Sequence, residues 1–320
     1  MDPWTGTTDE HGVIALADLH KAGLDVRGIE KLTKSGALTR LSRGWYAVGM
    51  PASPEERHRL TTRALLRAHG DRAVAAHHSA LILHELPTFH AELGTVRLNR
   101  VAPGPPRTRP GLSLGRVVLA QAITGAMVVP AMAIAQVASS GGPLASLIAA
   151  DAALHRRLVS PADLQLAAKW VEKHPHTAQL ESYLDLADGR RESPGETRLG
   201  HAFHVMGAAV TPQFSVKDGA FLAFLDFVLD EWPVAFEFDG KMKYGRAQDR
   251  VDNLGRPISA GDAVWFEKQR EDHLRELGYE VVRVIWSDLD DLETLNRRRR
   301  AAIERAKARG VQRLTQSQGT

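Results

Sequence analysis

The chain has 320 residues, of which 43% are hydrophobic and 25% charged, and its formal net charge at pH 7 is +3. This length favours two or three domains, and the composition is typical of globular rather than fibrous or disordered proteins. The absence of cysteine excludes disulfides, thiolate metal sites and cysteine nucleophiles, and it favours a reducing, cytoplasmic location. We expect no secretory leader and no membrane partner, because no apolar run outside the alanine-rich middle approaches membrane length.

The first fifty residues predict two short helices followed by a β-hairpin. Apolar spacing favours a helix over residues 12–23, and Asp25 is suited to cap a second helix over residues 26–35. Residues 37–41 and 45–48 then flank a three-residue loop, which is typical of a hairpin. Two helices and a basic hairpin indicate a winged helix.

Residues 36–46 have the form Gly-x-Leu-x-Arg-Leu-x-Arg-Gly-x-Tyr. Over residues 12–48 the chain is similar to the N-terminal domain of AbiEi-type antitoxins. The resemblance implies that the second helix enters the major groove of DNA while the hairpin contacts the backbone beside it. The expected DNA contacts are Arg27, Lys31, Lys34, Arg40 and Arg43. The alternative is a small winged domain that binds protein; a toxin would suit the antitoxin resemblance, but nothing in the sequence supports one.

The middle of the chain predicts a mixed α/β region that links and braces the two ends. A helical pattern covers residues 54–86, and later segments alternate between strand and helix signals. The expected strands are 95–101 and 112–120, separated by a turn-rich segment at 103–111, and the expected helices cover 131–155 with a break at 139–143, then 161–173 and 177–188.

Two strands near the C-terminal end carry the main chemical signal. Residues 221–229 form an almost wholly apolar run interrupted by Asp226, and residues 234–239 alternate between apolar and polar side chains. The four residues between the runs predict a hairpin loop. If this loop joins antiparallel strands, counting outward along the ladder places Asp226 opposite Glu237.

Glu237, Asp239 and Lys241 share one face of the second strand, because side chains alternate along a strand. Carboxylates that face each other destabilise a sheet unless a cation lies between them, and carboxylate oxygens suit Mg²⁺ or Mn²⁺. We therefore predict a metal held by Asp226, Glu237 and Asp239, with Lys241 stabilising the charge that develops on a phosphate. The alternative for Asp226 is a satisfied buried acid or an edge-strand charge.

The order of these residues resembles the PD-(D/E)XK nuclease superfamily. Glu237-x-Asp239-Gly240, a following helix over residues 264–277 and the segment at 278–286 are similar to a domain related to very-short-patch-repair endonucleases. The similarity covers residues 190–295, and it implies metal-dependent cleavage of DNA. Charged candidates on the helix are Glu267, Lys268, Arg270 and Glu271, although solvation alone explains such a face.

Glu196 is the acidic residue of the first helix that the resemblance implies. It also stands three residues after Ser193, where a capping box explains it equally well. Two features depart from the family: the histidine that commonly follows the Asp-Gly pair is missing, and Asp239, Lys241 and Lys243 are all candidates for the usual lysine position. A retained fold that has lost its chemistry is therefore the alternative.

Together, the patterns predict an α+β multidomain chain. We expect a winged helix over residues 1–50, a mixed α/β middle domain over 51–188, a restriction-endonuclease-like α/β domain over 189–296 and a basic C-terminal helix and tail over 297–320. The predicted function is that of a DNA-interacting protein with an Mg-dependent endonuclease domain. The alternative is a non-catalytic DNA-binding repressor of the AbiEi type.

Overall fold

The structure, a computed structural model, describes residues 8–172, 177–240 and 260–310, with side chains in the last range from residue 265. The fold is α+β with three β-sheets. It divides into two compact units, residues 1–187 and 188–320. This division lies one residue before the boundary expected after residue 188. In the described ranges, no helix has the length and hydrophobicity required to cross a bilayer.

A three-stranded sheet and two helices form the start of the first unit. The elements are β1 (Val13–Ala15), α1 (Leu16–Lys21), α2 (Val26–Lys34), β2 (Leu38–Ser42) and β3 (Trp45–Val48), and the sheet order is β1-β3-β2. The hairpin and the second helix lie where they were predicted. The carboxylate of Asp25 accepts a hydrogen bond of 2.8 Å from the Gly28 N–H, as an N-cap should.

The helix predicted over residues 12–23 is wrong in its first part, because residues 13–15 form strand β1. This strand pairs with β3, with Val13 opposite Ala47, and both Val13 and Ile14 are fully buried. A pairing partner more than thirty residues away is invisible to local helical spacing, and here it overrides that spacing.

The rest of the first unit packs helices against a six-stranded sheet of order β6-β7-β5-β4-β9-β8. Small alanine side chains dominate its buried core and allow close packing of the helices. The elements are α3 (Pro54–His69), β4 (Ala73–Ala75), α4 (His77–Leu83), β5 (Val96–Arg100), β6 (Arg107–Arg109), β7 (Leu112–Val117), β8 (Ile123–Thr124), β9 (Met127–Val128), α5 (Pro130–Gly141), α6 (Pro143–His155), α7 (Pro161–Val171) and α8 (Leu180–Leu184). Strand β4 interrupts the helical pattern expected over 54–86, and β6 lies inside the segment expected to be a turn.

The second unit is a four-stranded sheet flanked by helices. Its elements are α9 (Pro194–Val205), β10 (Val210–Asp218), β11 (Phe221–Leu229), β12 (Val234–Phe238), α10 (Ala260–Glu276), β13 (Glu280–Val284) and α11 (Leu292–Ala308). The sheet order is β10-β11-β12-β13, and the last pair is parallel, which requires a crossover such as the one that contains α10.

Helix α11 belongs to the core of the second unit, although the sequence predicted a separate basic helix from residue 297. The helix starts at Leu292 and buries Leu295, Ala302 and Ala306 completely. Two of its cations are also neutralised, since Arg298 pairs with Asp288 and Arg305 pairs with Glu280. Arg309, directly after the helix, pairs with Glu280 as well. The helix therefore presents less free positive charge than its sequence indicates.

Candidate functional site

The strand pair β11–β12 has the register that the sequence predicts. Phe227 lies opposite Phe236 and Val228 opposite Ala235, and Asp226 and Glu237 are the next residues outward on the two strands. The Asp226 carboxylate accepts a hydrogen bond of 2.7 Å from the Phe238 N–H, which ties it to the neighbouring strand. Two acidic side chains thus meet at the end of this ladder.

Gln213 on β10 occupies the position opposite Asp226 on the other side of β11, because the β10–β11 register is unbroken on either side of it. Its φ of 50° is in the left-handed region, which residues other than glycine rarely adopt. The side chains of β11 also enter different cores on either side of Asp226. Leu225 packs in the core beneath α10, whereas Phe227 packs in the core between α9 and α11. Asp226 therefore lies where the two cores meet, and the backbone of Gln213 beside it on β10 is strained.

Helix α9 brings Glu196 to the same place. Glu196 is buried, with 7% of its surface exposed, and its carboxylate accepts hydrogen bonds from the Ser193 hydroxyl (2.7 Å), the Glu192 N–H (3.0 Å) and the Gln213 side-chain amide (3.1 Å). The Ser193 hydroxyl caps α9 by accepting from the Glu196 N–H, as the sequence suggested, but the Glu196 carboxylate accepts from the Glu192 N–H and not from the Ser193 N–H that a complete capping box would use. Gln213 additionally links this cap to the row that contains Asp226.

A glycine in the first turn of α9 explains how the helix approaches the strand so closely. A Cβ atom added to Gly195 would lie 1.9 Å from a ring carbon of Phe238. The Phe238 ring packs edge-on against Trp286, with their centroids 4.8 Å apart. Only glycine fits at position 195. The contact of this glycine with Phe238 brings the end of β12 next to the first turn of α9, which contains Glu196.

The surroundings of Asp226 favour its neutral form. Burial raises the pKa of the Asp226 carboxyl from 3.8 to about 6, the Phe238 N–H opposes that rise, the charges of Glu196 and Glu237 add to it, and Arg270 lowers it. A carboxyl that titrates close to neutral pH can exchange a proton during a reaction or bind a cation. Glu196 and Glu237 are thus both close enough to act on Asp226.

Arg270 of α10 supplies the cation of this cluster. One of its terminal nitrogens donates to both carboxylate oxygens of Glu237, at 2.7 and 2.8 Å, and the guanidinium also binds Glu267 at 2.8 and 3.1 Å. Glu267 in turn pairs with Arg283 at 2.7 Å. The sequence predicted that a metal separates the facing carboxylates, whereas here an arginine neutralises Glu237; Lys268 is exposed.

The remaining predicted site residues are less well assembled. Asp239 follows β12 and is half-buried, and its N–H donates to the Val284 carbonyl at 2.8 Å. Lys241 and Lys243 lie outside the described residues. Among the residues that the structure describes, the acidic and histidine side chains do not form a group of three or more that is ready to hold a metal ion.

Sequence reasoning identified the three carboxylates but missed Gln213. A glutamine in a strand carries no signal of its own, and its strained φ appears only in the folded backbone. Arg270 was recognised only as a charged helix residue, because its contact with Glu237 spans 33 positions of sequence.

The first unit contains the predicted DNA-contact residues. Arg27, Lys31 and Lys34 of α2 are exposed, as are Arg40 on β2 and Arg43 in the hairpin turn. In the described part of the chain none of these five side chains forms an ion pair with an acidic residue. The helix and the hairpin therefore present unneutralised positive charge.

Neither the scan of protein-family models nor the search of curated proteins found a match. The function of the chain must accordingly be inferred from these two surfaces and from the chemistry of their side chains.

Proposed function

We propose that this protein acts on DNA, and that its second unit hydrolyses phosphodiester bonds with the help of a divalent metal. The observation that carries the proposal is the convergence of Glu196, Asp226 and Glu237 from three different elements, with the pKa of Asp226 raised to about 6. Like charges that lie close together destabilise a fold. Three carboxylates beside the strained backbone of Gln213 therefore indicate a site that is kept for its chemical function.

The donor atoms of this site fit Mg²⁺ or Mn²⁺. Carboxylate oxygens are the preferred ligands of both ions, and a bound cation would offset the burial and the neighbouring negative charges that raise the pKa of Asp226. Asp226, Glu237 and Asp239 would hold the ion, which would polarise a phosphate and lower the pKa of a bound water. Arg270 competes with such a cation for the oxygens of Glu237, so we expect metal binding to require that this ion pair opens.

The protein's own side chains have distinct roles in this proposal. Gln213 holds Glu196 in place, and the Phe238 N–H holds Asp226, so both carboxylates are oriented before substrate arrives. Once released from Glu237, Arg270 can neutralise a phosphate oxygen.

The architecture of the two units supports this assignment. A mixed sheet with helices on both faces, and acidic residues on adjacent strands, agrees with the PD-(D/E)XK interpretation of the second unit. In the first unit, helix α2 followed by the β2–β3 hairpin agrees with a winged helix, and its exposed cations are suited to phosphates.

The second candidate function is a DNA-binding repressor whose nuclease-like unit is only a scaffold. The ion pair between Arg270 and Glu237 favours it, because that contact satisfies the carboxylate without any metal. Both candidates share DNA as the partner, and they differ in whether the second unit cleaves it.

The decisive experiment incubates labelled single-stranded, duplex and mismatched DNA with the full chain, in Mg²⁺, in Mn²⁺ and in EDTA. Asp226→Asn is the test variant, because an amide oxygen still accepts from the Phe238 N–H while the charge is lost. Asp272→Asn is the matched control, since Asp272 is an exposed carboxylate of α10. Metal-dependent cleavage by the wild type and the control, but not by Asp226→Asn, would establish the nuclease. If no substrate is cleaved and neither metal raises the melting temperature of the wild type, the DNA-binding repressor is the remaining candidate function.

DNA binding by the first unit is tested separately with Lys31→Ala/Lys34→Ala. Removing one phosphate contact to duplex DNA should reduce the slope of log affinity against log salt by about 0.9. An unchanged slope and affinity would exclude helix α2 as a DNA contact. Lys21→Ala on α1 provides the control, because that lysine pairs with Asp18 and lies outside the predicted contact surface.

A further inference from the structure

A cleft in the first unit lies between the β2–β3 hairpin, helix α3 and the β6–β7 turn. Its volume is about 690 Å³, which is within the range of roughly 300–1,000 Å³ that is typical of small-ligand sites. None of the residues that line the cleft belongs to the predicted recognition helix α2. The cleft and the predicted DNA-contact surface share the hairpin turn that contains Arg43.

The rim of the cleft is strongly basic. Arg43, Arg57 and Arg109 come from three different elements, all three are exposed, and the lining contains no aspartate or glutamate. Arg57 uses one terminal nitrogen to donate to the Arg40 carbonyl at 2.9 Å, which anchors it beside the hairpin and leaves other N–H groups to donate. Three uncompensated guanidinium groups around one opening favour an anion, and their planar forks match phosphate oxygens.

The floor of the cleft is apolar and aromatic. Leu65 and Leu112 are buried beneath it, and the half-buried indole of Trp45 forms part of the wall. The guanidinium of Arg67 lies 4.8 Å from the centroid of this indole and holds the ring in place. A hydrophobic floor with a fixed aromatic ring is suited to the face of a nucleobase.

His58 lies at the bottom of the cleft but does not provide chemistry. Its two ring nitrogens are bonded to the Leu93 carbonyl and the Ser79 hydroxyl, each at 2.8 Å. Burial lowers the pKa of His58, so the ring is neutral at pH 7. With both nitrogens engaged, this histidine can neither ligate a metal nor transfer a proton to a ligand, and the cleft is built for binding.

We propose that this cleft binds the nucleoside phosphate unit of unpaired nucleic acid, with the base against Trp45 and the phosphate between the three arginines. A base within a duplex is paired and stacked on its neighbours. Its face can contact Trp45 only when the base is in a single strand or has been extruded from the duplex. The same chemistry would accept a free nucleotide. The inference deepens the proposed DNA-binding role of the first unit and rests on it.

The test measures fluorescence anisotropy of the full chain with a short labelled single strand and with the matching duplex, in EDTA so that no cleavage occurs. Arg109→Gln should weaken single-strand binding about tenfold, as expected when one charge-assisted hydrogen bond is removed. Arg107→Gln is the matched control, because Arg107 lies on the same short strand β6 with the same charge and exposure but outside the cleft. Trp45→Leu should also weaken single-strand binding about tenfold, because the base can no longer stack on an indole.

Competition by an unlabelled deoxynucleotide separates the two sources of ligand. Displacement of the single strand by the free nucleotide in the wild type, but not in Arg109→Gln, would identify the nucleotide itself as a ligand of the cleft. Equal effects of Arg107→Gln and Arg109→Gln would overturn the proposal, since general charge would then explain the binding. The proposal would also be overturned if Arg109→Gln weakened binding of the duplex but left binding of the single strand unchanged. Lys31→Ala/Lys34→Ala reports independently on helix α2, so the two ideas fail separately.

Discussion

Asp226→Asn provides the sharpest test of the carboxylate cluster, because it should stabilise the protein while removing its chemistry. The amide keeps the shape of the side chain and an acceptor for the Phe238 N–H, but it carries no charge that burial disfavours and that Glu196 and Glu237 repel. A native site that is less stable than its neutral variant is the expected signature of a functional residue.

The size of the effect follows from the pKa of Asp226. A rise from 3.8 to about 6 corresponds to roughly 3 kcal/mol of unfavourable free energy when the carboxylate is ionised in the folded protein. Asp226 is only half-buried, so solvent screening reduces this value, and we expect Asp226→Asn to increase the free energy of unfolding by about 2 kcal/mol at pH 7.5.

The pH dependence has a definite sign. The folded state holds the proton of Asp226 more tightly than the unfolded state does, so the carboxyl begins to destabilise the fold above about pH 4, where the unfolded state ionises, and the effect is complete above pH 6, where both states are ionised. As the pH falls from 6 to below 4 both states become protonated, and the advantage of the asparagine variant should disappear.

Urea unfolding of the full chain at several pH values, followed by hydrogen exchange in peptides from β11 and β12, measures this advantage within the second unit. Asp272→Asn should change the free energy of unfolding by less than about 0.5 kcal/mol at every pH, because its pair with Arg275 is on the surface. If Asp226→Asn gains nothing at pH 7.5, or gains as much at pH 4 as at pH 7.5, then the charge of Asp226 is not under strain and the functional inference loses its support.

Two further substitutions test the contacts around the cluster. Arg270→Gln should lower the free energy of unfolding by about 2–4 kcal/mol, since it leaves the largely buried Glu237 without its cation, and urea unfolding should show that adding Glu237→Gln restores part of the loss. Gly195→Ala should cost about 1–3 kcal/mol in the same assay, despite the better helix propensity of alanine, because the new methyl group collides with Phe238. Gly200→Ala, on the same helix, meets the guanidinium of Arg191 instead of an aromatic ring and should cost less; equal effects of the two glycine substitutions would contradict the close approach.

The cluster also explains why Glu237→Gln is a poor test of metal binding by itself. From the sequence, the repulsion between Asp226 and Glu237 predicts that this variant is at least as stable as the wild type without metal. The structure pairs Glu237 with Arg270, so the variant loses an ion pair as well as a repulsion. Asp226→Asn removes a repelled charge without breaking an ion pair, and it is therefore the better probe of metal binding.

The sequence by itself determined the β11–β12 hairpin. Periodicity and a four-residue loop were sufficient to place the two strands and to set Phe227 opposite Phe236, because register in a short hairpin depends on residues close together in the chain. The Ser193 cap of α9 and the Asp25 cap of α2 were equally local, since each bonds a backbone N–H three residues away.

Only the tertiary structure decided which charges surround those carboxylates. Arg270 reaches Glu237 across 33 residues, and Gln213 reaches Glu196 across 17; neither contact leaves a periodic trace, because it depends on how α9 and α10 pack on the sheet. Strand β1 was missed for the same reason, since its partner strand lies far along the chain. Local patterns record the conformational preference of a segment, whereas the energy of a charge depends on every group that the fold brings within a few ångströms of it.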